Sequence, residues 1–302
     1  MVKCRNIYIV YSVVKYLVTK IKIATKYSKE FIEIHRPQPL SDRKIENLIQ
    51  DILNGDLDKD ISDNVYVMFK EEAIEWIRAS KLNRLSGFNE FTKTDIINGC
   101  TQFIDNLYMQ GPVQTIEHDY RYHERLNLSQ VRKPKELIPD VPLIIAMPFP
   151  QSGAIHIDME TILSECKEKN IEVHIDAAWI TCCRDIEFDF SDPVIKSFGI
   201  SLSKGLGLGW NRVGIRWTRE YEQDSITIMN DFNMNIKVAS IIGLHFIRNL
   251  PTDYLWNTYG ETYYKICRDF SLTPTNSIYL ALDKGNPVGV APLIRYLEEY
   301  GI

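Results

Sequence analysis

Apolar and polar positions divide the chain into a helical first part and a later part in which short apolar runs alternate with helical segments. Helical spacing of apolar residues predicts helices over 42–53, with Ser41 as N-cap, and over 69–82. From about Lys93 the alternation is typical of a βαβ layer with a mostly parallel sheet. The predicted strands are 95–97, 113–116, 143–147, 172–175, 197–201 and 213–217.

Further helices and one late strand complete the predicted layout. Apolar periodicity favours helices at 102–109, 158–170, 233–250, 252–270 and 290–300, and a last strand at 277–282. Open α/β sheets bind ligands beyond the carboxyl ends of their strands, so we expect the residues with chemistry to lie in those loops.

Composition narrows the functional class. The 302 residues are 45% hydrophobic and 25% charged, which is ordinary for a globular protein, and a net charge of −5 provides no broad basic field for nucleic acid. Six cysteines without a CxxC pair indicate reduced thiols in a cytoplasm and no metal site. The apolar run 7–14 is too short to span a bilayer, so we interpret it as a buried element on the body or on a partner subunit, without membrane insertion.

A glycine-rich loop after the strand at 197–201 carries a candidate catalytic lysine. Lys204 opens the loop, and glycines at 205, 207 and 209 indicate unusual dihedrals or a close approach of the backbone. A partly desolvated lysine near another cation, here Arg212, can form a Schiff base with an aldehyde. The pattern satisfies neither the Walker phosphate loop nor the dinucleotide loop, and a solvated loop lysine is the alternative.

Two other segments support a site at the same sheet edge. Asp176 ends an apolar strand, where a carboxylate needs a partner such as a pyridinium nitrogen, an N-cap or an ion pair. Trp179 follows, as a core residue or a cofactor contact. The turn 98–101 precedes a helix, and the free N–H groups at a helix start bind phosphate well.

These motifs resemble the fold type I enzymes that depend on pyridoxal 5′-phosphate (PLP), specifically the class I/II aminotransferases similar to aspartate aminotransferase. The run Ser201-Leu-Ser-Lys204, with Arg212 eight residues after the lysine, resembles the family's Schiff-base and phosphate-binding motif. Asp176-Ala-Ala-Trp179 is similar to the family's Asp-x-x-Tyr, with tryptophan in place of the tyrosine.

The resemblance implies an α/β fold with a mostly parallel sheet, helices on both faces and a reduced small domain, with PLP as the cofactor. It implies Lys204 as Schiff-base lysine and general acid/base, and Asp176 as the partner of the pyridinium nitrogen. The implied cofactor cage is Gly99, Cys100, Thr101, Tyr120 or alternatively Tyr122, Asp176, Trp179, Ser201, Ser203, Lys204 and Arg212.

The sequence departs from the family at one contact to the cofactor and at one contact to the substrate. Residues 148–153 lie where the family usually has Asn-Pro-x-Gly, and the asparagine that bonds the phenolic oxygen is not evident. The strand whose arginine clamps the substrate carboxylate would follow position 302. Another arginine, a substrate other than an ordinary α-amino acid, or an incomplete or degenerate chain would each account for this.

By the same resemblance we expect an N-terminal arm and small-domain segment over 1–60, a large PLP-binding domain over 61–250 and a truncated small-domain segment over 251–302. The expected function is transfer of an amino group between a small-molecule donor and a keto or aldehyde acceptor, in a cytoplasmic homodimer. A lyase or decarboxylase reaction, or a PLP-binding scaffold with little activity, are the alternatives.

Overall fold

A computed structural model describes Leu40 and residues 43–55, 59–126 and 130–300. The predicted N-cap Ser41 and the apolar run 7–14 lie outside these residues, and the division into domains stays a prediction. Every helix in the described ranges is too short or too polar to cross a bilayer. The helices, numbered in chain order, are α1 Arg43–Asn54, α2 Lys59–Arg78, α3 Cys100–Gln110, α4 Arg121–Leu126, α5 Met159–Glu168, α6 Leu202–Gly205, α7 Ser225–Asp231, α8 Lys237–Asn249, α9 Tyr254–Asp269 and α10 Ala291–Tyr300.

The strands form one large sheet and two small ones. The large sheet has seven strands in the order β2-β9-β8-β6-β5-β3-β4, β1 pairs with β7, and β10, β11 and β12 form an antiparallel sheet near the C-terminal end. The strands are β1 Arg84–Ser86, β2 Lys93–Ile97, β3 Gln114–Ile116, β4 Val131–Arg132, β5 Leu143–Ala146, β6 Val173–Asp176, β7 Glu187–Asp189, β8 Ile195–Ser201, β9 Gly214–Thr218, β10 Thr273–Pro274, β11 Leu280–Asp283 and β12 Asn286–Gly289.

Strand direction brings distant loops to one edge of the large sheet. β9 is antiparallel to both β2 and β8, whereas β8, β6, β5, β3 and β4 pair in parallel. β2 therefore runs in the same direction as β8. The carboxyl ends of β2, β5, β6 and β8 meet at one edge, together with the start of β9.

The predicted mostly parallel α/β sheet with helices on both faces is confirmed. Residues that alternate along one strand belong to different apolar clusters: Ile144 packs with Phe103 and Ile104 of α3, whereas Leu143 and Ile145 pack in the larger core on the other face. Alternate side chains of a strand point to opposite faces, so helices cover both sides of the sheet.

The six predicted strands and the long predicted helices are present, and most ends differ by four residues or fewer. The exception is the helix predicted over 69–82, which is observed as α2 and begins ten residues earlier, at Lys59. Short edge strands such as β1 and β7 were missed. In both, polar side chains flank one apolar residue, Leu85 in β1 and Phe188 in β7, and three residues are too few to establish a period.

An ion cluster is buried beneath α7. Arg216 on β9 is 2% exposed and lies between Asp95 of β2 and Asp224, the N-cap of α7. Its Nη2 donates to Asp95 Oδ2 at 2.8 Å and to Thr227 Oγ1 at 2.9 Å, and its Nη1 donates to Asp224 Oδ2. Burial opposes the charge of the Asp224 carboxyl, but Arg216 outweighs it and lowers the pKa of Asp224. These bonds fasten α7 and β2 to β9.

Candidate functional site

A cavity of about 620 Å³, part of it open to solvent, lies at the edge where the strands end. Lys204 and Asp176, the two predicted catalytic residues, both line it. All the residues predicted for the cofactor cage line its wall except Gly99, which lies directly behind the wall against Arg212 and Ser201. Apolar lining comes from Ile104, Ala146, Pro148, Pro150 and Ala178.

Lys204 is placed by a four-residue helix, α6, that follows β8. Ser201 caps this helix, since its Oγ accepts a hydrogen bond from the Ser203 N–H at 3.2 Å. The lysine is half-buried, and burial lowers the pKa of its amine, with the Arg212 guanidinium contributing in the same direction and Cys182 and Asp176 opposing it. The lowered pKa favours a neutral amine, which is the nucleophilic form.

Asp176 ends β6 and is 4% exposed. Its Oδ1 accepts a hydrogen bond from the Ala178 N–H at 3.1 Å, and its Oδ2 lies 3.3 Å from His123 Nε2. The other imidazole nitrogen of His123 lies 3.4 Å from Asp119 Oδ2. The buried carboxylate thus has an ionic partner on one side while its residue lines the cavity on the other.

His123 lies wholly buried between two carboxylates. Burial opposes a charge on the imidazole, but Asp119 and Asp176 outweigh it and raise the pKa of His123 to about 9. Asp119 is fixed in turn, because its carboxylate accepts hydrogen bonds from the Ala146 N–H at 3.0 Å and the Thr115 hydroxyl at 3.2 Å. We refer to Asp119, His123 and Asp176 as the acid–imidazole cluster.

The turn before α3 also contributes to the cavity wall, together with Arg212. Arg212 Nη2 donates to Thr101 Oγ1 at 2.7 Å, and Arg212 Nε donates to the Asn98 carbonyl at 3.2 Å. Gly99 has a φ of +72°, and a Cβ there would lie 3.0 Å from Arg212 Nη2 and 3.2 Å from Ser201 Oγ. The glycine therefore permits a close approach of backbone, guanidinium and hydroxyl at the start of α3, where free N–H groups favour an anion.

Aromatic and proline residues form the remaining walls. Tyr120 lines the cavity, whereas the hydroxyl of Tyr122 donates to Asp105 at 2.7 Å, so of the two aromatic candidates only Tyr120 faces the site. Trp179, in the segment that follows β6, also lines the cavity. The bond between Met147 and Pro148 is cis, and Met147 precedes the loop where the family usually has asparagine.

The arrangement fits a planar ligand that carries an anion at one end and a carbonyl that condenses with an amine. The anion would meet Arg212 and the turn before α3, and a ring nitrogen would meet Asp176. The Oγ of Ser203 is buried at the wall without a hydrogen-bond partner among the described residues, so it can still serve a ligand.

Sequence reasoning missed His123 and Asp119. The two stand four residues apart, a spacing that could have been noticed, but a lone histidine in a polar segment is not distinctive. His174, two residues before Asp176, does not line the cavity, and its Nδ1 lies 2.7 Å from Ser197 Oγ.

Comparison with known proteins identifies the fold. No protein-family model and no curated protein sequence matches the chain. Among solved structures, it is similar to a tetra mutant of Thermus thermophilus aspartate aminotransferase, with a TM-score of 0.57 and 13% identity over 88% of this chain and 84% of the other.

Two further solved structures are similar. The alanine aminotransferase from Pyrococcus furiosus has a TM-score of 0.56 and 13% identity over 81% of this chain and 72% of its own. The PLP-bound C-S lyase from Staphylococcus hominis has a TM-score of 0.57 and 13% identity over 86% of this chain and 75% of its own. The protein therefore has a type I PLP-dependent aminotransferase-like fold, as the motifs predicted.

Proposed function

We propose that the cavity binds PLP and that Lys204 carries it as a Schiff base. One observation supports this above the others: Lys204, Asp176 and the Arg212 turn, which come from three separate segments, face a single cavity. Within the shared fold, the solved C-S lyase is PLP-bound. Bound PLP would supply an electron sink for a carbanion at the substrate carbon.

The residues divide into groups by the atoms that they would hold. Arg212, Ser201, Thr101 and the N–H groups after Gly99 would hold the phosphate. Asp176 would hold a proton on the ring nitrogen, and His123 would keep the Asp176 carboxylate oriented. Tyr120 would stack on one face of the ring. The Trp179 indole N–H could donate to the phenolic oxygen but could not titrate there.

We further propose that the reaction is transamination between a small-molecule amino donor and a keto or aldehyde acceptor. Lys204, with its lowered pKa, would take the proton from the substrate carbon and return it to the C4′ carbon of the cofactor. Both steps need one amine close to two carbon atoms. A half-buried lysine that lines the cavity is suited to this role.

A lyase reaction on the same scaffold is the second candidate. The similarity to the Staphylococcus hominis C-S lyase is as high as that to the aminotransferases, and the cofactor cage does not select which bond breaks. A decarboxylase, or a scaffold that binds PLP with little activity, would share the same cage.

The test is a spectroscopic titration with PLP, followed by a panel of amino donors. We expect an absorbance band near the visible edge that is lost in Lys204→Ala and kept in Lys70→Ala. Lys70 is a matched control, because it is half-buried with a pKa lowered by burial but does not line the cavity. Borohydride reduction and peptide mass analysis should place the added mass on Lys204.

The fate of the band distinguishes the reactions. Conversion to the spectrum of the amine form of the cofactor supports transamination, and release of ammonia or carbon dioxide supports a lyase or decarboxylase. An unchanged band with every donor supports the scaffold. A wild-type protein that acquires no band would contradict the proposal as a whole.

We propose a homodimer in the cytoplasm, in line with the family resemblance. Apolar side chains are exposed along the segment that leads into α8, and such patches commonly mark protein contacts. They are Ile228, Phe232, Met234, Ile236 and Val238. Sedimentation should give a dimer that Phe232→Glu weakens more than Ile157→Glu, a change at an exposed apolar residue outside that segment. A PLP-bound monomer would contradict the dimer.

A further inference from the structure

A buried tyrosine far along the chain holds the backbone of the catalytic lysine. Tyr279 is fully buried, and its hydroxyl donates to the Lys204 carbonyl at 2.6 Å across 75 residues of sequence. Its ring also makes an edge contact with Trp179, with ring centroids 6.4 Å apart. One side chain thus contacts both Lys204 and the aromatic residue that follows Asp176.

The segment that carries Tyr279 is itself fixed. The Ile278 N–H donates to the Cys182 carbonyl at 3.0 Å, and Ser277 forms an antiparallel bridge with Cys183. On the other side, the Val290 N–H donates to the Tyr279 carbonyl at 3.0 Å. Because backbone hydrogen bonds hold both flanks, the hydroxyl has a defined position against Lys204.

The lysine needs such an anchor. A four-residue helix such as α6 has too few internal hydrogen bonds to be stable alone, and the carbonyl groups of its last turn lack helical partners. Ser201 caps the start of α6, and Tyr279 satisfies a carbonyl near its end. With both ends held, the direction of the Lys204 side chain is set by residues outside the helix.

We propose that Tyr279 is a positioning residue, which fixes the backbone of Lys204 so that its amine points into the cavity. This inference rests on the proposed function, because it assigns a supporting residue to the Schiff-base lysine. It also gives the sheet near the C-terminal end a role in the site.

The test compares Tyr279→Phe with Tyr263→Phe. Tyr263 is a matched control: it is also fully buried, and its hydroxyl donates to the Leu280 carbonyl at 2.7 Å, but it does not contact Lys204. Each variant keeps the aromatic ring and leaves one backbone group without its hydroxyl partner. Tyr279→Phe removes the donor to the Lys204 carbonyl. Tyr263→Phe removes the acceptor of the Thr275 N–H, whereas the Leu280 carbonyl still accepts from the Thr275 hydroxyl at 2.8 Å. We therefore expect similar losses of thermal stability.

Two rates are measured on cofactor-free protein. In the first, added PLP condenses with the neutral Lys204 amine, one water is released, and borohydride reduces the C=N bond to a stable secondary amine that mass analysis locates. In the second, formaldehyde and a mild hydride donor methylate the same amine by condensation and reduction. The first rate requires the amine to meet a bound aldehyde, whereas the second reports only exposure.

We expect Tyr279→Phe to slow PLP attachment about tenfold while Lys204 methylates at least as fast as in the wild type. Tyr263→Phe should change both rates less than twofold. Attachment at the wild-type rate in Tyr279→Phe, or an equal slowing in Tyr263→Phe, would overturn the inference. Absence of PLP attachment in the wild type would instead contradict the proposed function. A wild type that attaches PLP, with no slowing in Tyr279→Phe, would overturn the positioning role alone.

Discussion

The large sheet contains two buried clusters in which one cation lies between two carboxylates. Beneath α7, Arg216 lies between Asp95 and Asp224, and at the cavity His123 lies between Asp119 and Asp176. The arrangement of charge is the same in both clusters. The cations differ: a guanidinium is charged at any ordinary pH, whereas an imidazole titrates.

The contacts differ as well. Arg216 makes close hydrogen bonds to both carboxylates and to Thr227, whereas the His123 nitrogens lie 3.3 and 3.4 Å from their carboxylate oxygens. Arg216 on β9 bonds to groups on β2 and α7, a pattern suited to holding these three elements together. The acid–imidazole cluster is looser and includes Asp176, which faces the site. Under the proposed function, the same arrangement of charge supports the architecture where the cation is Arg216 and the chemistry where it is His123.

The largest expected effect separates the two clusters by activity. Asp176→Asn should lower the single-turnover rate with the best amino donor at least a thousandfold. A charge pair at about 4 Å contributes roughly 4 kcal/mol at an effective dielectric near 20, and this corresponds to about three orders of magnitude in rate. The unfolding free energy should change by about 1 kcal/mol or less, because Asp119 still pairs with His123. A loss of several kcal/mol of stability, with the rate retained, would assign Asp176 to the architecture instead.

The second effect is on stability. Arg216→Met should lower the unfolding free energy by about 3 kcal/mol, since removal of one buried partner leaves two carboxylates uncompensated. The loss falls at the lower end of the usual range because Asn106 and the Thr227 N–H still donate to Asp224. Urea denaturation measures this change. PLP binding by the folded variant should be retained, and a folded variant that binds no PLP would show that the Arg216 cluster serves the site.

The third effect is a pH dependence confined to the acid–imidazole cluster. The folded-state pKa of His123, about 9, lies above its ordinary value of 6.5. The stability that it contributes is therefore complete below about pH 6.5 and is lost as the pH rises through about 9. The slope between these values should reach at most about 1.4 kcal/mol per pH unit.

Urea midpoints measured from pH 6 to 10 test this slope. We expect His123→Asn to remove the part of the slope that is due to the imidazole, while Arg216→Met keeps it. If the wild type and His123→Asn show parallel profiles over this range, His123 is not charged between the two carboxylates.

The sequence predicted the helices, the strands and the residues that line the cavity better than the buried residues that contact those lining residues from behind. β5, β6 and β8 were predicted because a short, mostly apolar segment is typical of a buried parallel strand. Asp176 and Lys204 stood out because each is a charged residue at the end of such a segment or directly after it. Spacing could not decide whether Tyr120 or Tyr122 lines the cavity, since both stand in the same polar segment.

Two buried residues, His123 and Tyr279, could not be found from the sequence because their contacts are with residues far away in the chain. His123 and Tyr279 act through contacts across 53 and 75 residues, and no periodicity within one element records which distant backbone or carboxylate a side chain will meet. These contacts depend on the packing of distant elements, in which β5 lies beside β6 and the segment before β11 lies against Cys182.

The antiparallel strand β9 bears on when the cavity wall can form during synthesis of the chain. The hydrogen bonds from Arg212 to Asn98 and Thr101 close loops of 114 and 111 residues, and contacts of such long range form slowly. A chain still on the ribosome, with β9 not yet emerged, would hold the Gly99 turn but lack the guanidinium of the proposed anion site. Under the proposed function, binding of a phosphate-bearing ligand therefore requires that β9 has been synthesised and lies between β2 and β8.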